Sequence, residues 1–196
     1  MKIYVTGLGV VSGIGLGVAE NIASLRKHQH GMGKVTLFPT ELDVPVSEVK
    51  YSNEELKRLL SLDIQKTFSR TALLGMLAAR EAVDDARLDL NTLRVGLISS
   101  TSIGGMDLSE HFYNAFKKDN RKGRLREVIS HDCGASTEMI ADYLKVNDFV
   151  TTISTACSSA ANAIMLGARM IRNGQLDAAI AVSYTHLRAH ETDQYL

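Results

Sequence analysis

The segment Thr151-Thr152-Ile153-Ser154-Thr155-Ala156-Cys157-Ser158-Ser159-Ala160-Ala161-Asn162-Ala163-Ile164 carries the side chain best suited to covalent chemistry. A β-branched run gives way to small residues, a cysteine follows, and a helical pattern starts at once. That order predicts the sulfur of Cys157 at a helix N-terminus. Unpaired N–H groups and the positive end of the helix dipole favour thiolate over thiol there, and the thiolate is the form that attacks thioesters. The N–H of the same residue can donate to the oxyanion of a tetrahedral intermediate. Small neighbours leave room at a sharp strand-to-helix turn for a long, thin substrate, the logic of the serine elbow in α/β-hydrolases. A buried, inert cysteine is the competing reading, since free cysteine is among the most buried residue types.

The remaining reactive side chains form no comparable pattern. Cys133, in His131-Asp132-Cys133-Gly134, has no predicted helix start beside it and reads as inert. Two cysteines in 196 residues make no disulfide framework, and no CxxC or clustered Cys/His spacing suggests a zinc site. The histidines are His28, His30, His111, His131, His186 and His190. His186 and His190 have the i, i+4 spacing of a helical metal pair but no third ligand nearby, and read as coincidence. Gly7-Leu8-Gly9-Val10-Val11-Ser12 puts serine where a dinucleotide fingerprint needs its third glycine. No clear acidic ribose partner follows at the expected distance, so a nicotinamide-dependent oxidoreductase is set aside.

The elements that must position Cys157 alternate. Ile3–Val11 reads as a buried strand, Val18–Leu25 as a short helix, and Gly31–Ser52 as loop with short extended pieces. Asn53–Leu62 is a predicted helix. Phe68–Ala86 is the strongest one, with Phe68, Ala72, Met76, Ala79, Val83 and Ala86 on one face. Val95–Thr101 reads as a buried strand, Asp107–Lys118 as helix, and Asp119–Arg126 as a charged loop whose basic residues form a solvated face. Ser136–Tyr143 is predicted helix and Phe149–Ile153 strand. Ser158–Asn173 is helix, with Ala160, Ile164, Ala168 and Ile171 on one side and Gly174 as its stop. Asp177–Val182 is a strand again. Strands alternating with helices predict an α/β fold with a largely parallel sheet.

Composition narrows the function classes. A formal net charge of zero offers no field to attract nucleic acid or an anionic membrane surface. Aromatics are few and Trp is absent, which argues against a base-stacking surface. The N-terminus lacks the layout of a signal peptide, and no apolar run is long enough to cross a bilayer. A reduced, cytoplasmic protein is expected.

At Ser154-Thr155-Ala156-Cys157-Ser158-Ser159-Ala160 the chain resembles the nucleophile motif of β-ketoacyl-[acyl carrier protein] synthases, including the ketosynthase domains of polyketide synthases. Val5-Thr6-Gly7-Leu8-Gly9-Val10-Val11-Ser12, Phe68-Ser69-Arg70-Thr71-Ala72 and Ser102-Ile103-Gly104-Gly105 resemble further family stretches in order and spacing. The resemblance implies the N-terminal half of a thiolase-like α/β fold, a mostly parallel sheet flanked by helices. It implies a cysteine that takes an acyl chain from acyl carrier protein, condensation with malonyl on a second carrier after decarboxylation, and a dimer. No cofactor is implied, because the substrates ride on the phosphopantetheine of the carrier. Only Cys157 carries over as a catalytic residue, as nucleophile and as one oxyanion donor. The Ser-Ser pair after Cys157 and the Ser102–Gly105 turn resemble the elongating type more than a thiolase or an initiating synthase.

The chain departs from that pattern in two places. The two histidines and the lysine that serve decarboxylation and condensation in the family belong to a second half, and none of the six histidines sits in the matching setting. After Val182 family members continue with a glycine pair and an acidic residue, whereas this chain reads Ser183-Tyr184-Thr185-His186-Leu187-Arg188-Ala189-His190-Glu191-Thr192. Residues 1–182 are therefore expected to be the synthase domain, and 183–196 a tail of foreign, translated-adapter character. The competing assignment is a non-catalytic, chain-length-factor type subunit, which usually lacks the nucleophile that Cys157 provides.

Overall fold

A computed structural model describes residues 1–41 and 43–184. At its centre lies β5 (Val95–Ser100), hydrogen-bonded on one side to β6 (Phe149–Ile153) and on the other to β7 (Ala178–Ser183), all parallel. Every residue of β5 is buried, as a central parallel strand covered on both faces requires. Ser100 is in register with both Ile153 and Ser183, so the three strands end level.

Alternation along β5 decides what covers each face. Val95 and Leu97 point into a core shared with Leu73, Met76 and Leu77 of α3 (Arg70–Ala86) and Ile140 and Leu144 of α6 (Cys133–Leu144). Ile98 points the other way, to α7 (Ser159–Arg172), where a Cβ on Gly167 would stand 3.4 Å from the Ile98 Cδ1 atom. Helix α3 starts at Ser69, whose buried hydroxyl accepts from the Ala72 N–H. Its apolar stripe is as expected at Ala72, Met76 and Ala79.

The residues before α3 wrap its outer side. A short antiparallel ladder joins β1 (Val11–Ser12) to β2 (Gly15–Leu16) and leads into α1 (Val18–Arg26). A second one joins β3 (Met32–Gly33) to β4 (Val46–Ser47), and α2 (Asn53–Leu59) follows with a capping box between Ser52 and Glu55. The expected strand Ile3–Val11 is not one: only Val11 pairs, and Tyr4, Val5 and Leu8 are exposed. The segment lies along α3 instead. Side-chain carboxylates take the N–H groups a ladder would use, Asp85 from Leu8 and Glu81 from Val10, each at 2.9 Å. A Cβ at Gly7 or Gly9 would collide with the carbonyls of Ala82 or Ala78, so glycine permits this approach. Between β5 and α6 come α4 (Met106–Lys118) and α5 (Leu125–Ile129), and α4 buries none of its residues.

The N-terminal end of the sheet is fastened by two aspartates. Asp148, just before β6, accepts from the Val95 N–H at 2.8 Å. Asp177, just before β7, accepts from the Arg94 N–H at 2.9 Å and from its guanidinium at 2.7 and 3.0 Å. The Arg94 side-chain hydrogen bonds hold the Asp177 carboxyl down to about 2, against an ordinary 3.8. A folded value below the unfolded one contributes stability that is complete above the unfolded value and is lost as pH falls through the folded one. Thermal melts followed by circular dichroism should therefore show the wild type losing stability as pH drops from about 4 toward 2. Asp177→Asn should flatten part of that slope, and an identical slope in the variant would contradict the assignment.

Candidate active site

Strand β6 delivers the chain to a tight elbow. After Ile153 come Ser154 and Thr155, a single 3-10 turn over Ala156–Ser158, and then the fourteen residues of α7. The direction reverses at Ala156, which has φ 52°. This left-handed conformation costs a non-glycine residue roughly 1–2 kcal/mol and persists only where its surroundings impose it.

Hydroxyl groups impose it here. Ser159, buried at 7% exposure, accepts from the Thr155 N–H at 2.8 Å and donates to the Ala156 carbonyl at 2.8 Å. Ser158 donates to Thr155, shared between its carbonyl at 2.8 Å and its Oγ1 at 3.1 Å. Asn162 donates from Nδ2 to Thr155 Oγ1 at 2.8 Å. The sequence reading counts the residues around Cys157 only as small neighbours and gives Asn162 no role. The signal available was their spacing, since 155, 158 and 162 fall on one face of a helix beginning at the elbow.

Cys157 stands at the apex of that turn, exposed and unpaired. It precedes the first residue of α7 by two positions, so the 3-10 turn, and not the α-helix itself, carries the sulfur. Under it α7 rests on the sheet through Ser159, Ala163 and Gly167. The expected apolar side, Ala160, Ile164, Ala168 and Ile171, is therefore not the face in contact, and Ile164 is 60% exposed. Small residues win because a helix laid flat on a sheet must come close: a Cβ on Gly167 would lie 2.9 Å from the Ala179 Cβ.

Helix α6 leads through a short connection into β6 and packs against it, so its first turn lies at the edge where β6 ends. Thr137 Oγ1 and Thr152 Oγ1, 2.6 Å apart, tie that turn to the strand. Cys133 is the first residue of α6, half-buried, with Asp132 as N-cap accepting from the Gly134 N–H at 2.8 Å. The helix start that the sequence reading denied to Cys133 is present. The glycine turn Ser102–Gly105 closes against the same segment, since a Cβ on Gly104 (φ 58°) would meet the carbonyls of His131 and Asp132.

The described histidines do not converge on Cys157. His131 is bonded to Ser109 at 2.9 Å and His111 to Glu127 at 3.0 Å, across α4 and α5. His28 and His30 line a separate shallow depression with Ile14 and Ser24. His186 and His190 lie outside the described residues. Among the described residues no group of three His, Cys, Asp or Glu could hold a metal ion. An open groove of about 1000 Å³ runs beside the end of β7, lined by Val10, Phe38, Arg70, Asp107, Val182 and Tyr184 among others, and Cys157 is not part of it. Ser183 continues the β7 ladder and Tyr184 is largely buried, which pushes its phenol up. The rest of the expected tail lies outside the described residues.

The comparisons agree with this architecture. Residues 1–192 match the family model "Beta-ketoacyl synthase, N-terminal domain". The chain is 29% identical to the 3-oxoacyl-[acyl-carrier-protein] synthase 2 of Vibrio harveyi and 28% to that of Staphylococcus aureus (strain MRSA252), covering 92% of this chain and 44% of each relative. It thus spans less than half the length of these relatives. Among solved structures, the ishigamide ketosynthase/chain length factor superposes with a TM-score of 0.82 at 27% identity, over 97% of this chain and 49% of that one. A ketosynthase in complex with its type II PKS acyl-carrier protein, bound to the hexaketide, has the same fold, with a TM-score of 0.70 at 21% identity over 97% of this chain and 47% of that one.

The hydroxyl of Ser159 is the most enclosed polar group of the elbow. Ser159→Ala should lower stability by about 1–3 kcal/mol, the cost of stranding buried partners. A urea midpoint equal to that of the wild type would show that the elbow does not depend on it.

Proposed function

Since the chain belongs to the β-ketoacyl synthase family, as its N-terminal domain, we propose that it supplies the nucleophile of an elongating condensing enzyme. The observation that carries this reading is the exposed thiol of Cys157 on a braced turn between a parallel strand and a long helix. The thiolate adds to the thioester carbonyl of an acyl chain held on the phosphopantetheine of acyl carrier protein. A carbon–sulfur bond to Cys157 forms, the bond to the carrier thiol breaks, and the carrier leaves as the free thiol. The N–H of Cys157 donates to the oxyanion at the tetrahedral stage.

Condensation needs more than this chain holds. Decarboxylation of malonyl on a second carrier yields the carbanion that attacks the acyl-cysteine and releases the thiolate. The histidines and lysine assigned to that step by family resemblance belong to a second half, and so does a second oxyanion donor. On this reading the substrates are carrier-bound thioesters of fatty acid or polyketide synthesis, no cofactor takes part, and the setting is the cytoplasm. No helix among the described residues is long and apolar enough to cross a membrane. A homodimer, or a heterodimer with a ketosynthase-like partner, would cover the free edge of β6 and the exposed Ile164 and Met165 of α7.

The chain-length-factor reading draws support from the ishigamide ketosynthase/chain length factor among the structural relatives. The presence of Cys157 weighs against it.

The two readings differ in a covalent adduct. Incubation with acyl-carrier-protein thioesters or cerulenin should add one group to Cys157 by mass spectrometry. Cys133→Ala should retain the adduct and Cys157→Ala abolish it; modification of Cys133 alone would defeat the enzyme reading. The 196-residue chain by itself should catalyse no condensation, and condensing activity from it would refute the division of labour between halves.

A further inference from the structure

The bond network at the elbow assigns a role to a side chain that lies five residues beyond the nucleophile. We infer that Asn162 is a positioning residue, which together with Thr155 locks the turn bearing Cys157 in its strained form; this inference rests on the condensing-enzyme reading.

Three observations converge. Ala156, immediately before Cys157, is held at φ 52°, so some other interaction must offset its preference for φ below zero. Thr155, immediately before Ala156, is gripped at three atoms: its N–H by Ser159, its carbonyl by Ser158 and its Oγ1 by Asn162 and Ser158. Asn162 also reaches Ser158 Oγ at 3.4 Å, so its one amide group spans both sides of the cysteine. Asn162 belongs to the regular part of α7, which rests on the sheet through Ala163. The bond from Asn162 to Thr155 therefore ties the end of the strand to the body of the helix and bridges the turn between them. With it in place, the Cys157 N–H and sulfur keep one orientation toward an incoming carbonyl. Without it, Ala156 can relax and both rotate together.

The fit to a positioning role, and not to a merely structural one, is that Thr155 is exposed and Asn162 only half-buried. Their bond adds little to the core, and its loss should alter geometry before stability. Acyl transfer from hexanoyl-N-acetylcysteamine to Cys157 would be timed by intact-mass spectrometry in the wild-type chain, Asn162→Ala, Thr155→Val and Thr155→Ser. The first two variants should slow transfer by about tenfold or more, the scale of a displaced reacting group. Thr155→Ser, which keeps the accepting oxygen, should stay near the wild type. Alkylation of Cys133 by iodoacetamide, an internal reference in the same molecule, should not change. In parallel, backbone hydrogen exchange over residues 155–160 should quicken in the two slow variants only. Wild-type transfer rates in Asn162→Ala would overturn the inference, as would slowing matched by a change at Cys133, which would report general loosening. A wild-type chain that accepts no acyl group would count against the condensing-enzyme reading instead, and the brace would then stand or fall on the exchange data.

Discussion

Parallel strands cannot be joined by hairpins; each must be re-entered from the same end, and the chain returns through a helix. That constraint organises the molecule. Because β5, β6 and β7 are parallel and end level, their exits and the turns that follow β5 and β6 lie at one end of the sheet. The elbow after β6, the glycine turn after β5 and the start of α6 all meet there. The opposite edge holds Arg94, Asp148 and Asp177, whose hydrogen bonds hold the strand starts together. One end of the sheet serves as anchor, which leaves the other free to carry a strained, exposed thiol.

Much of this was legible in the chain itself. The bounds of β6 follow from Phe149–Ile153, and the parallel topology from strands alternating with helices. The strand-to-helix turn at Cys157 was visible in the abrupt change from β-branched to small residues. What escaped was decided by partners distant in sequence. The first segment has the residues of a strand, yet Glu81 and Asp85, one helical turn apart on α3, occupy its N–H groups. At Cys133, Gly134 argues against a helix, but the Asp132 carboxylate satisfies the Gly134 N–H and starts one. On α7, hydropathy favoured the face with Ile164, while close approach to the sheet selected the stripe of Ser159, Ala163 and Gly167.

The surface that remains apolar is not randomly placed. Ile164 and Met165 on α7, Val150 on β6, and Tyr113 and Ile129 on α4 and α5 are all at least a third exposed, although the core beneath them is closed. The groove beside β7 is likewise open, lined by mixed polar and apolar residues and separate from the nucleophile.

The glycine at 167 has a mechanical meaning for the thiol ten residues earlier. A helix behaves as a stiff rod, and this one is seated on the sheet at its middle by a residue without a side chain. Its seating height sets the tilt of the whole rod, and the tilt sets where the leading tip points. Any side chain grown at 167 would act as a wedge beneath a lever, displacing the tip of the rod and with it the turn that bears the sulfur.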